Sequence, residues 1–356
     1  MYVIFFISSL GTILTLVNAL TMRVIKPDGT ALISDSIAVL VPMRNEESNV
    51  DGLVSSVQES SGLSDWNFTV LNDSSSDGTA LRLKSHGVSV IEGSDLPEGW
   101  LGKNWACHQL ASTAQAKYLV FMDADVRIHP AAIAASIEKM NSLGWDFISP
   151  YPRQIALSFL ERLIQPLLQW SWLSSVPLRL SQQLRINSMT IANGQFFIVK
   201  KSAYDAIGGH ASIKSEVLDD LRLARGLIAG GFSGGVAEGS SIVECRMYDS
   251  PNLLIQGYTK SLWAAFGGIA GTIFTIALLA LTQILPIFLG LNGYIIGWST
   301  YFVVAISHGI AAIRTKSAPS NFLLHPLSAF ILIVLIFESL RRKLSGSLVW
   351  RERKIG

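Results

Sequence analysis

Two carboxylates one residue apart, Asp123 and Asp125, close the stretch Lys117–Asp125, KYLVFMDAD. Hard oxygen ligands in that pattern suit Mg²⁺ or Mn²⁺, which bind through one or two carboxylates together with substrate phosphates. The apolar run before them, Tyr118 to Met122, reads as a strand buried on both faces. Side chains at i and i+2 share a side only while the chain stays extended, so the two acids converge in this way only if the strand continues through them. The plainer reading of the pair is an N-cap or turn after a strand.

Other charged residues fall at similar places. Ile37–Val41 is a strand that Pro42 ends, and Arg44 and Glu46 follow it as a helix begins. They can hydrogen-bond a base or ribose, or simply form a solvated helix start. Asp73 stands one residue beyond the strand Phe68–Leu71 and can accept from a pyrimidine N–H or make an Asx-turn. Asp77 suits the N-cap of a helix starting near Thr79. Lys103, flanked by glycine, precedes a helix at Asn104–Ala116. A lysine there opposes the helix dipole unless an anion such as a diphosphate is present. Asp219 and Asp220 open a helix; they complement its dipole, or one of them, Asp220 first, serves as a general base near an anomeric carbon. Trp100 and Trp105 read as core or rim aromatics, and Cys107 with His108 as ordinary helix-face residues.

These positions make sense on one scaffold. Strands ending in polar clusters and separated by helical segments predict an α/β sheet, whose ligands gather beyond the carboxyl ends of the strands. No G-x-G-x-x-G follows the first strand, which argues against a dinucleotide-binding oxidoreductase. Two cysteines, Cys107 and Cys245, give neither a disulfide framework nor zinc spacing and fit a reducing cytosolic face.

The 356 residues are 49% hydrophobic and 15% charged, with a mean hydropathy of +0.40. That is too apolar for a purely soluble enzyme, and a net charge of +2 without a basic stripe excludes a nucleic-acid partner. Residues 1–22 carry no charge and are followed by Arg23 and Lys26, which predicts an uncleaved transmembrane anchor with the next domain in the cytoplasm. No charge occurs between Lys260 and Arg314. Leu281–Pro286 and Gly290–Gly293 read there as the middle of a hairpin of two spans. Asn321–Phe337 is a further apolar segment, either a full span or one broken at His325-Pro326. Residues 155–184, with Trp170, Trp172, Pro166 and Pro177, predict a membrane-interface segment, a cover for an acceptor site, or both. The expected domains are an anchor at 1–22, a cytosolic domain at 23–260, membrane helices at 261–340 and a basic cytosolic tail at 341–356.

Taken in order, Pro42–Glu46, Asn72–Thr79, Asp123-Ala124-Asp125, Gly208-Gly209-His210 and Asp219-Asp220 resemble the family 2 inverting glycosyltransferases of the GT-A fold, over roughly Ile37 to Lys260. Gly99–Cys107, Arg246–Tyr248, Gly257–Lys260, His325-Pro326 and the Trp350-Arg-Glu-Arg tail resemble the membrane-anchored branch typified by 4,4′-diaponeurosporenoate (carotenoid) glycosyltransferases. The resemblance implies a Rossmann-like mixed sheet of the GT-A type with N- and C-terminal transmembrane helices. It implies a UDP-sugar donor, Mg²⁺ or Mn²⁺, and a membrane lipid acceptor such as a carotenoid or terpenoid acid or alcohol. It places Pro42, Arg44, Glu46, Asp73, Lys103, Asp123 and Ala124 on the donor, with Asp73 on uracil, Asp123 on ribose and Lys103 near the phosphates. Asp125, with Asp123, would hold the metal, and Asp219 or Asp220 would be the base. Gly209, His210, Arg246, Lys260 and Trp263 are expected around the acceptor. The sequence departs from processive members, which carry Q-x-x-R-W, and has Asp-Asp where Glu-Asp is usual, so a single transfer is expected and the base stays open between the two acids. Rival readings are transfer to polyprenyl phosphate or to a ceramide- or hopanoid-type lipid, and a catalytically silent nucleotide-binding scaffold.

Overall fold

The computed structural model describes residues 1–27, 32–317, 319–350 and 353–354. In chain order the elements are α1 (Tyr2–Thr21), β1 (Ile37–Met43), α2 (Glu47–Gln58), β2 (Trp66–Asn72), α3 (Thr79–Ser85), β3 (Ser89–Glu92), α4 (Gly102–Thr113) and β4 (Tyr118–Met122). Then come β5 (Val126–Ile128), α5 (Ala132–Ser142), β6 (Phe147–Tyr151), β7 (Arg153–Gln154), α6 (Phe159–Ser175), α7 (Leu178–Leu184), β8 (Phe196–Lys200) and α8 (Lys201–Ala206). The chain continues through α9 (Asp219–Ala229), β9 (Gly234–Glu238), β10 (Val243–Cys245), α10 (Pro251–Ala265), α11 (Ile269–Leu279), α12 (Leu285–Leu291), α13 (Ile295–Arg314) and α14 (His325–Leu344). They form two compact units. One comprises Arg23–Arg153 and Ser181–Arg246; the other comprises Met1–Met22, Gln154–Leu180 and Met247–Gly356.

The first unit is built on a seven-stranded sheet in the order β3-β2-β1-β4-β8-β6-β9. β1, β2, β3 and β4 run parallel, and β8 runs antiparallel to β4 and β6 on either side. The expected mixed α/β sheet is therefore present. Every residue of β4 is buried, as a continuous apolar run requires when helices cover both sheet faces. Leu40, Leu71, Leu110, Leu119, Phe121, Phe197 and Leu227 share one core cluster between sheet and helices. Burial of such side chains contributes about 1.5–3 kcal/mol each. Pro42 does not end β1, which runs on to Met43. The register with β4 stops at Leu40, so the missing N–H of Pro42 lies beyond that ladder and only β2 continues alongside.

The second unit gathers the apolar helices. Among the described residues, four stretches are long and apolar enough to cross a membrane: Tyr2–Thr21, Ile269–Leu291, Ile295–Arg314 and Asn321–Leu344. On α1, large apolar residues such as Phe6, Leu10, Ile13 and Leu20 face outward, while Ser8, Thr15 and Asn18 are buried. That inside-out pattern suits lipid surroundings and marks the protein as membrane-associated. The buried polar groups find partners within the unit: Thr15 bonds the Ser307 hydroxyl at 2.8 Å, and Asn18 Nδ2 donates to the carbonyls of Leu173 and Val176. A capping box starts α6, with Ser158 Oγ accepting from the Glu161 N–H and the Glu161 carboxylate accepting from the Leu157 N–H.

In this unit one detail differs from the sequence reading, and one alternative it left open is resolved. Leu281–Pro286 is not part of a hairpin turn: Ala280–Ile284 is a π-helical stretch inside one continuous span, with Pro286 in the first turn of α12. The chain reverses at Asn292–Tyr294. His325-Pro326 does not break its segment, because Pro326 falls in the first turn of α14, where no intrahelical N–H bond is lost. Arg341–Lys343 form the last turn of that helix; Arg351 and Glu352 of the tail lie outside the described residues.

Candidate active site

At the carboxyl ends of β1, β2 and β4 three loops meet. Asp73 is buried, its N–H donates to the Met43 carbonyl at 2.7 Å, and Arg44 Nη1 donates to the Asp73 carbonyl at 2.8 Å. Arg44 thus fastens the β2 loop to the β1 loop. Glu46 caps α2 in position: its N–H donates to Thr79 Oγ1, and its carboxylate accepts from Asn49. Asp77 accepts the Thr79 N–H through one oxygen and the Glu47 N–H through the other, so it binds the start of α3 to α2; the N-cap itself is Gly78, one residue later than expected.

After β4 the chain does not stay extended. Asp123 to Val126 forms a turn, with the Val126 N–H donating to the Asp123 carbonyl at 3.3 Å, so the two acids converge through a turn rather than along a strand. The turn is held from several sides. The Asp123 N–H donates to the Gln195 carbonyl, the Arg246 N–H to the Asp125 carbonyl, and Arg127 Nη1 to the carbonyls of buried Ala124 and of Val126. Asp125 keeps Oδ1 out of solvent and without a hydrogen-bond partner. Burial, then the charges of Asp123 and Glu46, push its carboxyl up to about 7. Cys245, itself held well above the ordinary thiol range first by burial, stays protonated beside it, and Gln195 Nε2 donates to Cys245 Sγ at 2.8 Å. A carboxylate with an orphaned oxygen out of solvent, crowded by the charges of Asp123 and Glu46, fits a divalent cation. Among the described residues no group of three or more His, Cys, Asp or Glu gathers at one point. Two carboxylates with the rest of the shell from phosphate and water is the Mg²⁺/Mn²⁺ pattern rather than a protein cage.

A pocket beside this turn is lined by Pro42, Lys103, Asp123, His210, Asp219 and Asp220, with Cys107, Phe121, Met122, Gly194, Phe197 and Leu223. Lys103 lies in the first turn of α4, which starts two residues earlier than expected. Its Nζ is 2.8 Å from Asp123 Oδ1 and 3.4 Å from Asp219 Oδ2. Burial alone would lower its pKa, but Asp123 and then Asp219 hold the ammonium well above its ordinary range. Asn104, the next residue, is buried and donates to the carbonyls of Ile213, Lys214 and Glu216, so α4 is pinned to the loop that leads into α9. Asp220 accepts the Gly194 N–H at 2.8 Å through Oδ2 and the Leu221 N–H at 2.7 Å through Oδ1. Gly194 allows that approach, since a Cβ there would stand 3.0 Å from the Asp220 Cβ. Burial, then the Asp219 charge, push the Asp220 carboxyl up to about 6.

His210 also lines this pocket, and Gly209 immediately precedes it. Tyr204 Oη lies 2.8 Å from His210 Nδ1 and accepts the His210 backbone N–H at 3.0 Å. Gly209 has φ +50°, and a Cβ there would fall 2.2 Å from the Tyr204 ring, so glycine is the residue that lets the tyrosine pack beneath the histidine. Burial holds the His210 imidazole down at about 4 despite the nearby Asp219 charge.

Of the residues expected from sequence, Pro42, Lys103, Asp123, His210, Asp219 and Asp220 meet in this pocket. Arg44, Glu46 and Asp73 stand on the adjoining loops, and exposed Arg246 follows β10 next to the Asp123–Val126 turn. Lys260 and Trp263 belong to the other unit, on α10. There the Trp263 indole donates to the Lys260 carbonyl at 2.9 Å, and Lys343 Nζ sits 4.3 Å from its ring centre. The sequence reading gives Tyr204, Gln195, Arg127 and Asn104 no place in the site, and it reads Cys245 only as a reduced cysteine. Each supports the site through its packing or hydrogen bonds, Asn104 by fastening the helix that carries Lys103.

Comparison with known proteins assigns part of the chain to a described domain family. The family model described as Glycosyl transferase family 2 matches residues 38–208. The chain carries a glycosyl transferase family 2 domain. Around it, 4,4'-diaponeurosporenoate glycosyltransferase of Staphylococcus aureus strain MRSA252 is 28% identical over 242 residues, covering 65% of this chain and 62% of that protein. The chain therefore matches less than two thirds of that relative's length. The strain COL protein of the same name is 28% identical over 265 residues, covering 72% of this chain and 68% of its own length. Among solved structures, a mannosyltransferase from Pyrobaculum calidifontis in complex with GDP-Man and Mn²⁺ aligns with a TM-score of 0.49 at 14% identity, over 95% of this chain and 99% of its own. Glucosyl-3-phosphoglycerate synthase from Mycobacterium tuberculosis, in complex with phosphoglyceric acid, aligns with a TM-score of 0.42 at 16% identity, over 63% of this chain and 76% of its own. The family 2 match ends at Gly208, so it contains the Asp123–Asp125 turn and Lys103 but stops short of His210, Asp219 and Asp220. The matched residues run from β1 through α8 and take in the centre of the mixed sheet, in keeping with the GT-A type expected of that family.

Proposed function

We propose that this protein transfers one sugar, with inversion, from a UDP-sugar to a membrane lipid, as a hexosyltransferase whose domain at 23–260 faces the cytosol. The observation that carries the reading is the Lys103 ammonium, which joins Asp123 to Asp219 in the same pocket as Asp220. A donor-end carboxylate and one of the two candidate bases, far apart in sequence, come within the reach of one lysine, and the other candidate lines the same pocket. Uracil and ribose would lie over the β1 and β2 loops against Asp73, Arg44 and Glu46, and the diphosphate would take over Lys103. Asp125 with Asp123 would hold Mg²⁺ or Mn²⁺, which when bound offsets charge on the departing diphosphate.

The acceptor oxygen attacks the anomeric carbon as the bond to the β-phosphate oxygen breaks, and the electron pair leaves with UDP. Asp220 takes the acceptor proton. Both of its oxygens are oriented by backbone N–H groups, and a conjugate acid near 6 leaves it mostly ionised at neutral pH yet basic enough to work. An acceptor that is already a carboxylate needs no such base. The apolar helices at 1–22 and 261–340 support a lipid acceptor reached from the bilayer. Residues 154–180 belong with those helices, which supports their role at the membrane interface. The same relation to carotenoid-acid glycosyltransferases supports a terpenoid acid or alcohol over a ceramide, hopanoid or polyprenyl phosphate.

The test is transfer of labelled glucose from UDP-glucose by the purified, detergent-solubilised protein, with extracted membrane lipids as acceptors and Asp125→Ala as control. Label in a lipid fraction, lost without Mg²⁺ or Mn²⁺ and in the variant, is the expected result. No turnover and no binding of any common UDP-sugar would overturn the reading in favour of a silent scaffold.

A further inference from the structure

The Tyr204–His210 pair has a definite proton arrangement. Tyr204 is 4% exposed, and its oxygen already accepts the His210 backbone N–H. If His210 Nδ1 carried a proton, that oxygen would accept twice from one residue and its own O–H would be buried without an acceptor, which hydrogen-bond satisfaction disfavours. The hydroxyl therefore donates to Nδ1, and the ring proton resides on Nε2. Phe121 packs edge-on against the imidazole at 5.0 Å between ring centres, and Gly209 leaves Tyr204 the room it needs, so ring and hydroxyl are both held.

We propose that Tyr204 is a positioning residue that fixes His210 as its Nε2–H tautomer, and that this N–H is a donor for one hydroxyl of the transferred sugar. This rests on the transferase reading above and adds to it a residue that selects the sugar. The placement supports a sugar hydroxyl over other partners. His210 lines the same pocket as Asp123 at the diphosphate end and Asp220 at the base end, and the group being transferred must lie between those two. A neutral N–H meets the needs of a hydroxyl there, since Lys103 already supplies the positive charge. Rejection of a sugar that lacks or inverts that hydroxyl follows, because a built donor would be left unpaired.

The experiment uses the full-length protein in detergent, with two independent readouts. Ring ¹⁵N spectra of histidine-labelled protein, assigned for His210 by difference with His210→Gln, should show an unprotonated Nδ1 and a protonated Nε2, and Tyr204→Phe should mix the tautomers. A protonated Nδ1 in the wild type overturns the proposal, whatever the activity. Kinetics with monodeoxy UDP-glucose analogues then locate the contact. One analogue should lose about 10-fold in kcat/KM on the wild type, the worth of one hydrogen bond, and lose nothing further on His210→Ala. His210→Gln, which keeps an N–H, should stay within about 3-fold of the wild type. If every analogue loses equally on wild type and His210→Ala, His210 makes no sugar contact and the proposal falls while the transferase reading stands. If the wild type turns over no nucleotide sugar, the reading beneath it falls as well.

Discussion

Asp220 and Asp219 are adjacent in sequence, but the pocket gives them different work. Asp219 answers Lys103 at 3.4 Å, while Asp220 is oriented by two backbone N–H groups and its carboxyl is pushed up to about 6 by burial and by Asp219. Asp220→Asn should cost about 10²–10⁴-fold in kcat on an alcohol acceptor and little on a carboxylic acid acceptor. An equal collapse on both would sink the general-base assignment. Because the base must be ionised, the alcohol reaction should fall as pH drops through about 6, and that limb should vanish in the pH profile of the acid acceptor. Lys103→Met removes the cation between Asp123 and Asp219. Its expected effect is a rise of about 10- to 100-fold in KM for the UDP-sugar, the scale of one charged hydrogen bond, read by steady-state kinetics at fixed metal.

At the scale of elements, the loops that carry the site are held by side chains with no catalytic signature. Asn104 ties α4 to the loop before α9, Arg127 ties the Asp123–Val126 turn to α2, and Tyr204 ties the Gly208–His210 turn to α8. Gly209→Ala places a methyl inside the Tyr204 ring position at a left-handed φ, so it should lower stability by about 1–3 kcal/mol in thermal unfolding. Leu110→Ala empties a fully buried position between α4 and the sheet and should cost about 2–5 kcal/mol in the same assay. Most strands and helices of the sheet-bearing unit were legible because their apolar runs and turn residues are local signals. The boundaries were less so: β1 passes through Pro42 because β4 has already ended alongside, and no local signal announces where a neighbouring strand stops.

For the whole molecule, two units with opposite surface logic share one chain. The sheet-bearing unit buries apolar residues, whereas α1 buries Ser8, Thr15 and Asn18 and turns Phe6, Leu10, Leu16 and Leu20 outward. A cytosolic catalytic domain predicts that protease added to inverted membrane vesicles cuts within Arg23–Arg153, and that sealed right-side-out vesicles protect the same region. Cleavage in the opposite preparation would reverse the orientation.

The sequence alone determined the class of the sheet, the apolar anchors and the carboxylates at strand ends, because each is written in composition and short-range spacing. Residue type and family resemblance also named Lys103, Asp123, Asp219 and Asp220 as candidates. Only the tertiary structure decided that these four share one pocket, that Asp125 keeps an orphaned oxygen beside the Cys245 thiol, and that Tyr204 governs the proton on His210. The physical reason is distance along the chain. Lys103 meets Asp219 only after β8 has inserted antiparallel between β4 and β6, and an ion pair closed by sheet topology leaves no periodic trace in the residues that make it.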